Sequence, residues 1–199
     1  MAVATGCFTL MSRTSAPQAS SQRGFTLIDI QVGVVLFTIL SAMTVVSVQT
    51  AMTTAKGDSA MLQVAGALRQ GREAAVAYRR GVDVRFVDPN RIQLWRLDPG
   101  EEILLLDLSL DYGATFQLDD DIPDTPDGFG QASATDFGDA GTIRFVPDGT
   151  LTAGDGIPLS GTIFMMRTGE PFSARAVTVS GGSGRAQPYR WTGSQWEAR

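Results

Sequence analysis

The chain has 199 residues, a formal charge of −5 at pH 7, 43% hydrophobic residues and no histidine, and its single cysteine is Cys7. Behind Cys7 it can therefore build neither a zinc site of the usual nitrogen and sulfur ligands nor a Ser-His or Cys-His nucleophile, and no disulfide. The length leaves room for one modest domain and one long helix, with no second full core.

Residues 1–24 contain Arg13 and Arg23, no acid, and a Ser/Ala/Gln-rich middle, so they read as a leader that takes no part in the fold. Met11 offers a second start within that leader. Behind Arg23 and Gly24 comes Phe25-Thr26-Leu27-Ile28-Asp29-Ile30, the opening of an apolar run broken by one carboxylate, Asp29.

From Ile30 to Ala55 no side chain is charged. As a helix those 26 residues extend about 39 Å, against about 30 Å of bilayer hydrocarbon. Basic residues before the run, and Lys56 offset by Asp58 behind it, place the leader in the cytoplasm and the bulk of the chain outside. Asp29 costs about 2–3 kcal/mol if it sits unpaired at depth, and less at a helix N-terminus. Thr38, Ser41, Thr44, Ser47, Gln49, Thr50, Thr53 and Thr54 make the run only moderately apolar, which suits contact between helices. An ordinary signal anchor is a second reading. Signal-peptidase cleavage after Thr53-Thr54-Ala55, releasing a soluble β domain, is a third.

Met61, Val64, Leu68, Ala75 and Tyr78 continue the helical spacing, so one helix is expected from Phe25 to about Arg80. Gly71 lies on its apolar stripe, where a strand could approach closely, and Gly81 is the expected left-handed stop. Beyond Gly81 the period becomes two. Val82–Val87 and Ile92–Leu97 form a hairpin about Asp88-Pro89-Asn90, with further strands at Ile103–Leu110 and Thr115–Leu118. Residues 119–139 read as a mobile loop. Thr142–Val146, Gly161–Met166, Ala174–Ser180 and Arg185–Trp196 then give a second small sheet. The expected class is α+β, a long N-terminal helix covering antiparallel sheet.

Two patches could carry binding chemistry. Twelve acids and no base lie between Leu97 and Ile143, a set that suggests Ca2+, but Asp119-Asp120-Asp121, Asp124 and Asp127 lack EF-hand spacing. A solvated acidic loop is the stronger reading. Arg185, Arg190 and Arg199 with Tyr189, Trp191 and Trp196 have the composition of a nucleic-acid contact, against which stands the acidic balance of the whole chain. An edge strand with packed aromatics is the structural alternative.

The stretch from Gly24 to Asp29 resembles the processing site of type IV pilins and type II secretion pseudopilins. That resemblance implies a prepilin peptidase cutting between Gly24 and Phe25 and methylating the new amine of Phe25. It also implies that Asp29, standing where the family usually has glutamate, is the assembly carboxylate and pairs with that amine. Arg72-Glu73-Ala74-Ala75, Gly81-Val82, the run Arg144 to Gly149, Val177 to Ser180 and Gly184-Arg185 resemble the GspH/FimT family of minor pseudopilins and minor pilins. Some FimT-like members act in DNA uptake through a Gly-Arg-x-Arg element, of which Gly184 and Arg185 match while Gln187 stands in the second arginine's place.

The expectation is a non-enzymatic structural subunit without a cofactor: leader 1–24, membrane or filament-core helix 25–55, and outer domain 56–199. It would be a single-pass inner-membrane precursor with its outer domain in the periplasm, later joining other pilins in a filament. The rival from another class is a DNA receptor using Arg185 and Arg190.

Overall fold

The computed structural model describes residues 26–138, 142–153 and 156–199, and for 43–47, 49 and 50 the backbone alone. The expected leader and the expected cleavage pair Gly24–Phe25 lie outside the described residues, as does Asp139. Helix α1 spans Leu27–Tyr78, 52 residues, and is followed, among the described residues, by ten short strands, β1 to β10. The chain divides into two units, residues up to Thr44 and Val45–Arg199.

In the first unit the helix opens on a reciprocal cap. The Thr26 backbone N–H donates to Asp29 Oδ2 at 3.0 Å and its hydroxyl donates to the same oxygen at 2.8 Å. The Asp29 N–H points back at the Thr26 hydroxyl at 3.4 Å. This is the capping-box arrangement, with aspartate in the place of the usual glutamate. Beyond the cap, Ile30, Val32, Val34, Val35, Phe37 and Ile39 are all exposed, so apolar side chains face outward on every side. Among the described residues no helix is long and apolar enough to cross a membrane. Within the expected span Ile30–Ala55, Thr38 folds its Oγ1 back onto the Val35 carbonyl at 2.8 Å, so that hydroxyl is satisfied inside the helix.

The second unit is built on the outer part of α1. Ala60, Met61, Val64, Leu68 and Ala75 are buried in one stripe against both sheets. The first sheet has the order β3-β2-β1-β5-β6: Glu101–Ser109, Arg91–Asp98, Val82–Val87, Ile143–Phe145 and Leu151–Thr152. The second has the order β10-β9-β8-β7-β4: Trp196–Ala198, Arg185–Trp191, Glu170–Ser180, Gly161–Arg167 and Thr135–Asp136. Val82, Val84, Ile92, Leu94, Ile143 and Phe145 of the first and Ile163, Met165, Val177 and Val179 of the second close the core over the helix. A Cβ on Gly71 would come within 3.2 Å of Leu94 and 3.3 Å of Phe145, so the stripe glycine does admit the sheet close to the helix axis. The α+β class read from the sequence is the one the chain has.

Several boundaries differ from the sequence reading. The helix stops at Tyr78, two residues early, and the left-handed residue is Arg79 (φ 52°), not Gly81. Arg80 N–H returns to the Ala75 carbonyl at 3.2 Å and Arg79 N–H to that of Val76 at 3.4 Å, the paired bonds of a Schellman cap. Gly81 is needed instead for contact, since its Cβ would meet Arg144 at 3.2 Å. Tyr78 is exposed, with the Arg96 guanidinium 4.5 Å above its ring.

The segment 142–146 belongs to the first sheet rather than the second. β5 pairs with β1, Val84 opposite Ile143 and Val82 opposite Phe145, and Arg144 donates to the buried Asp83 at 2.5 Å. That carboxylate raises the Arg144 guanidinium above its ordinary range. Thr115–Leu118 is not a strand of the first sheet; its Thr115 makes an isolated bridge to Met166 of β7.

Candidate functional site

Three of the motifs scattered along the sequence, those of Arg72, Gly149 and Gly184, meet at one place on the outer part of the helix. Arg72 projects from α1 and its Nε donates to the Gly149 carbonyl at 3.2 Å. Gly184 sits on the other side of the same arginine with φ 62°, where a Cβ would collide with the Gly149 oxygen and come within 3.0 Å of Arg72. The turns Pro147-Asp148-Gly149 and Gly182-Ser183-Gly184 are thus clasped about one side chain. Gly184 is fixed by packing and by its backbone, whatever Arg185 beside it does.

Next to this clasp lies a groove of about 670 Å³ between α1 and the start of β9, lined by Arg69, Arg72, Arg185 and Arg199 with Leu62, Glu73, Ala186 and Pro188 among the other walls. Arg69, Arg185 and Arg199 are exposed, and among the described residues none of them forms an ion pair. Four guanidiniums facing a single glutamate make an anion-attracting concavity. It shares Arg185 and Gln187 with a smaller recess of about 330 Å³, lined also by Asp127, Phe129, Thr178 and Tyr189. There Thr178 donates to Asp127 at 2.6 Å, and burial, then the hydrogen bond to Asp127, pushes the Tyr189 phenol above its ordinary value.

The pair expected to hold nucleic acid is not brought together. Arg185 and Arg190 are five residues apart on one strand, an odd separation that sends them to opposite faces. Arg185 reaches the basic groove, whereas Arg190 lies opposite Arg175 in the β8–β9 register and is half-buried. The aromatic residues expected beside them are not available for stacking either. Tyr189, Trp191 and Trp196 are 7–9% exposed and form a second apolar cluster with Ile122, Phe164, Met166 and Ala176.

That second cluster also changes the reading of the acidic loop. Ile122 is buried within it, Leu118 packs on its edge, and Trp196 Nε1 donates to the Pro123 carbonyl at 2.8 Å, so this segment is held on the outer face of the second sheet. Several of its acids are spent on the chain itself. Asp124 accepts the Gly130 N–H at 3.1 Å, and Asp136 accepts those of Ala132 at 2.6 Å and Gly138 at 3.1 Å. Among the described residues no three acidic side chains converge as metal ligands. Asp120 and Asp121 are exposed at the tip of the turn closed by Ile122 N–H to Asp119 O, 3.0 Å.

Arg175 is the residue that sequence reasoning missed. Its side chain is 0% exposed, on the helix-facing side of β8 with Val177 and Val179. Nε donates to Asp58 at 2.7 Å, Nη1 to the carbonyls of Ala174 at 2.7 Å and Phe172 at 3.1 Å, and Nη2 to the Thr54 carbonyl at 2.9 Å. Gly57 makes room for it, since a Cβ there would lie 3.1 Å from the guanidinium carbon and 2.7 Å from the Ser173 oxygen. Burial pulls this guanidinium below its usual range, opposed by Asp58. Strand period alone could have found it, because Arg175 falls on the same face as Val177 and Val179.

No protein-family profile matches the chain, and no curated protein does. Among solved structures, the crystal structure of the type IV minor pilin FimU of Pseudomonas aeruginosa strain PAO1 is similar to 70% of this chain and 91% of FimU, with 17% identity and a TM-score of 0.48. At that identity and score the likeness carries no inference about residues or activity.

Proposed function

We propose that the chain is a pilin-like structural subunit, a minor pilin of a type IV pilus or a minor pseudopilin of a type II secretion system. One observation carries the reading: a 52-residue helix whose first part exposes apolar side chains all round, while its later part is the core of an α+β domain. A helix apolar on every side needs an apolar surrounding. A bundle of like helices supplies one, and the interleaved hydroxyls suit that bundle. The lipid of the inner membrane would supply the other, before assembly.

In this reading prepilin peptidase cuts between Gly24 and Phe25, Phe25 becomes the methylated N-terminus, and Asp29 is the assembly carboxylate. The cap geometry supports a role for Asp29 at the helix start. Its Oδ2 already gathers both donors of Thr26, so this carboxylate is held at the start of the helix. Replacing Gly24 by a bulky residue, Gly24→Trp, is expected to leave the precursor uncut in a host with the peptidase. A normal-sized mature band from that variant would refute the processing step.

A further inference from the structure

Two surface features of opposite charge lie towards the two ends of β9. At the Arg185 end lies the groove of Arg69, Arg72, Arg185 and Arg199, in which Glu73 is the one acidic side chain among the described lining residues. At the Trp191 end, opposite Trp196 in the β9–β10 register, lies the turn Asp119–Ile122. The strand separates them by about 20 Å, at about 3.3 Å per residue. Both features are held in place. The turn is fixed from beneath by buried Ile122 and by the bond from Trp196 to Pro123, leaving the carboxylates of Asp120 and Asp121 pointing away from the core. The groove is fixed by the Arg72 clasp on Gly149 and Gly184.

From this arrangement we infer that the basic groove receives the acidic turn of a second copy of the chain, so that copies join head to tail. The contact is heterologous: one copy gives its Asp120–Asp121 turn and uses its own groove for the next. A polypeptide carboxylate fits better than a nucleic acid. Among the groove's described lining residues are Leu62, Ala186 and Pro188 and no aromatic side chain on which a base could stack, and the chain as a whole is negative. The inference goes beyond the proposed function and does not require cleavage at Gly24.

The test uses two versions of the full chain, both with Cys7→Ser so that one thiol remains in each. One carries Asp120→Cys at the turn, the other Ser183→Cys at the groove. Mixed and treated with a short bis-maleimide, they are expected to give the mixed dimer in excess over either self-linked dimer. Arg69→Glu with Arg185→Glu in the groove partner should lower the mixed product about tenfold, because like charges then face each other. Adding Asp121→Arg to the turn partner should restore it, which also shows that the reversed groove still folds.

Self-linked dimers in excess, or a mixed product indifferent to both reversals, would overturn the head-to-tail contact. So would retention of a short single-stranded oligonucleotide, lost in the Arg69→Glu, Arg185→Glu variant, with no mixed dimer; the groove would then be a phosphate site. The N-terminal mass of the same samples reports on the pilin reading separately. A methylated Phe25 without the mixed dimer sinks only the docking contact, and the mixed dimer from a chain that a peptidase-bearing host leaves uncut sinks only the pilin reading.

Discussion

Arg175 of β8 donates through Nη2 to the main-chain carbonyl of Thr54 on α1, 2.9 Å away, while its Nε holds Asp58 one turn further along the same helix. A fully buried guanidinium is costly to desolvate, so its partners matter more to the fold than its charge does. Asp58→Ala is expected to destabilise the domain by about 3 kcal/mol, the low end of the range for breaking a buried pair, since water reaches the carboxylate. Arg175→Lys should cost at least as much although it keeps the charge, because an ammonium cannot reach Asp58 and three carbonyls at once. Urea midpoints of the full chain in detergent measure both, and a native midpoint for Arg175→Lys would show that the four-way grip does not hold the sheet to the helix.

Gly184 is placed against the Gly149 carbonyl and the Arg72 side chain with a left-handed backbone. Gly184→Ala is expected to lose about 3 kcal/mol, from overpacking and the positive φ together. Arg185→Ala beside it should stay within about 0.5 kcal/mol of the parent, as an exposed side chain without a partner among the described residues. Equal stability of the two variants would mean that the clasp is not a fixed element.

Arg79 occupies the left-handed position of the helix C-cap at φ 52°. Arg79→Gly is expected to stabilise the fold by about 1 kcal/mol, raising Tm by about 2–4 °C, because glycine carries no Cβ penalty there. Gly81→Arg should do the reverse, since its site is crowded by Arg144 and Leu97. A fall in Tm for Arg79→Gly would place the cap elsewhere.

What the sequence made legible follows from how local each feature is. The helix to Tyr78 and the β1–β2 hairpin could be read because their apolar periods, 3.6 and then 2, lie within one stretch of chain. The sheet to which β5 belongs could not, because its partner β1 is some 60 residues away and the decisive pair is one of opposite charges, Arg144 with Asp83. The acidic segment looked unpatterned because Leu118 and Ile122 are isolated apolar residues whose partner, Trp196, comes more than 70 positions later. At the basic tail composition was misleading and parity was not. Counting five from Arg185 to Arg190 already sends them to opposite faces. The convergence of Arg72, Gly149 and Gly184 needed the structure, although each stood in a stretch that the sequence had already singled out.

The central claim is that α1 begins as the first element of a processed subunit, with Thr26 and Asp29 closing its end. Mass spectrometry of the N-terminal peptide, from protein isolated out of its own membranes and filaments, tests it most directly. The account predicts a chain that starts at Phe25 with a methylated amine. A chain that starts after Ala55, or one that still carries residues 1–24, would contradict it.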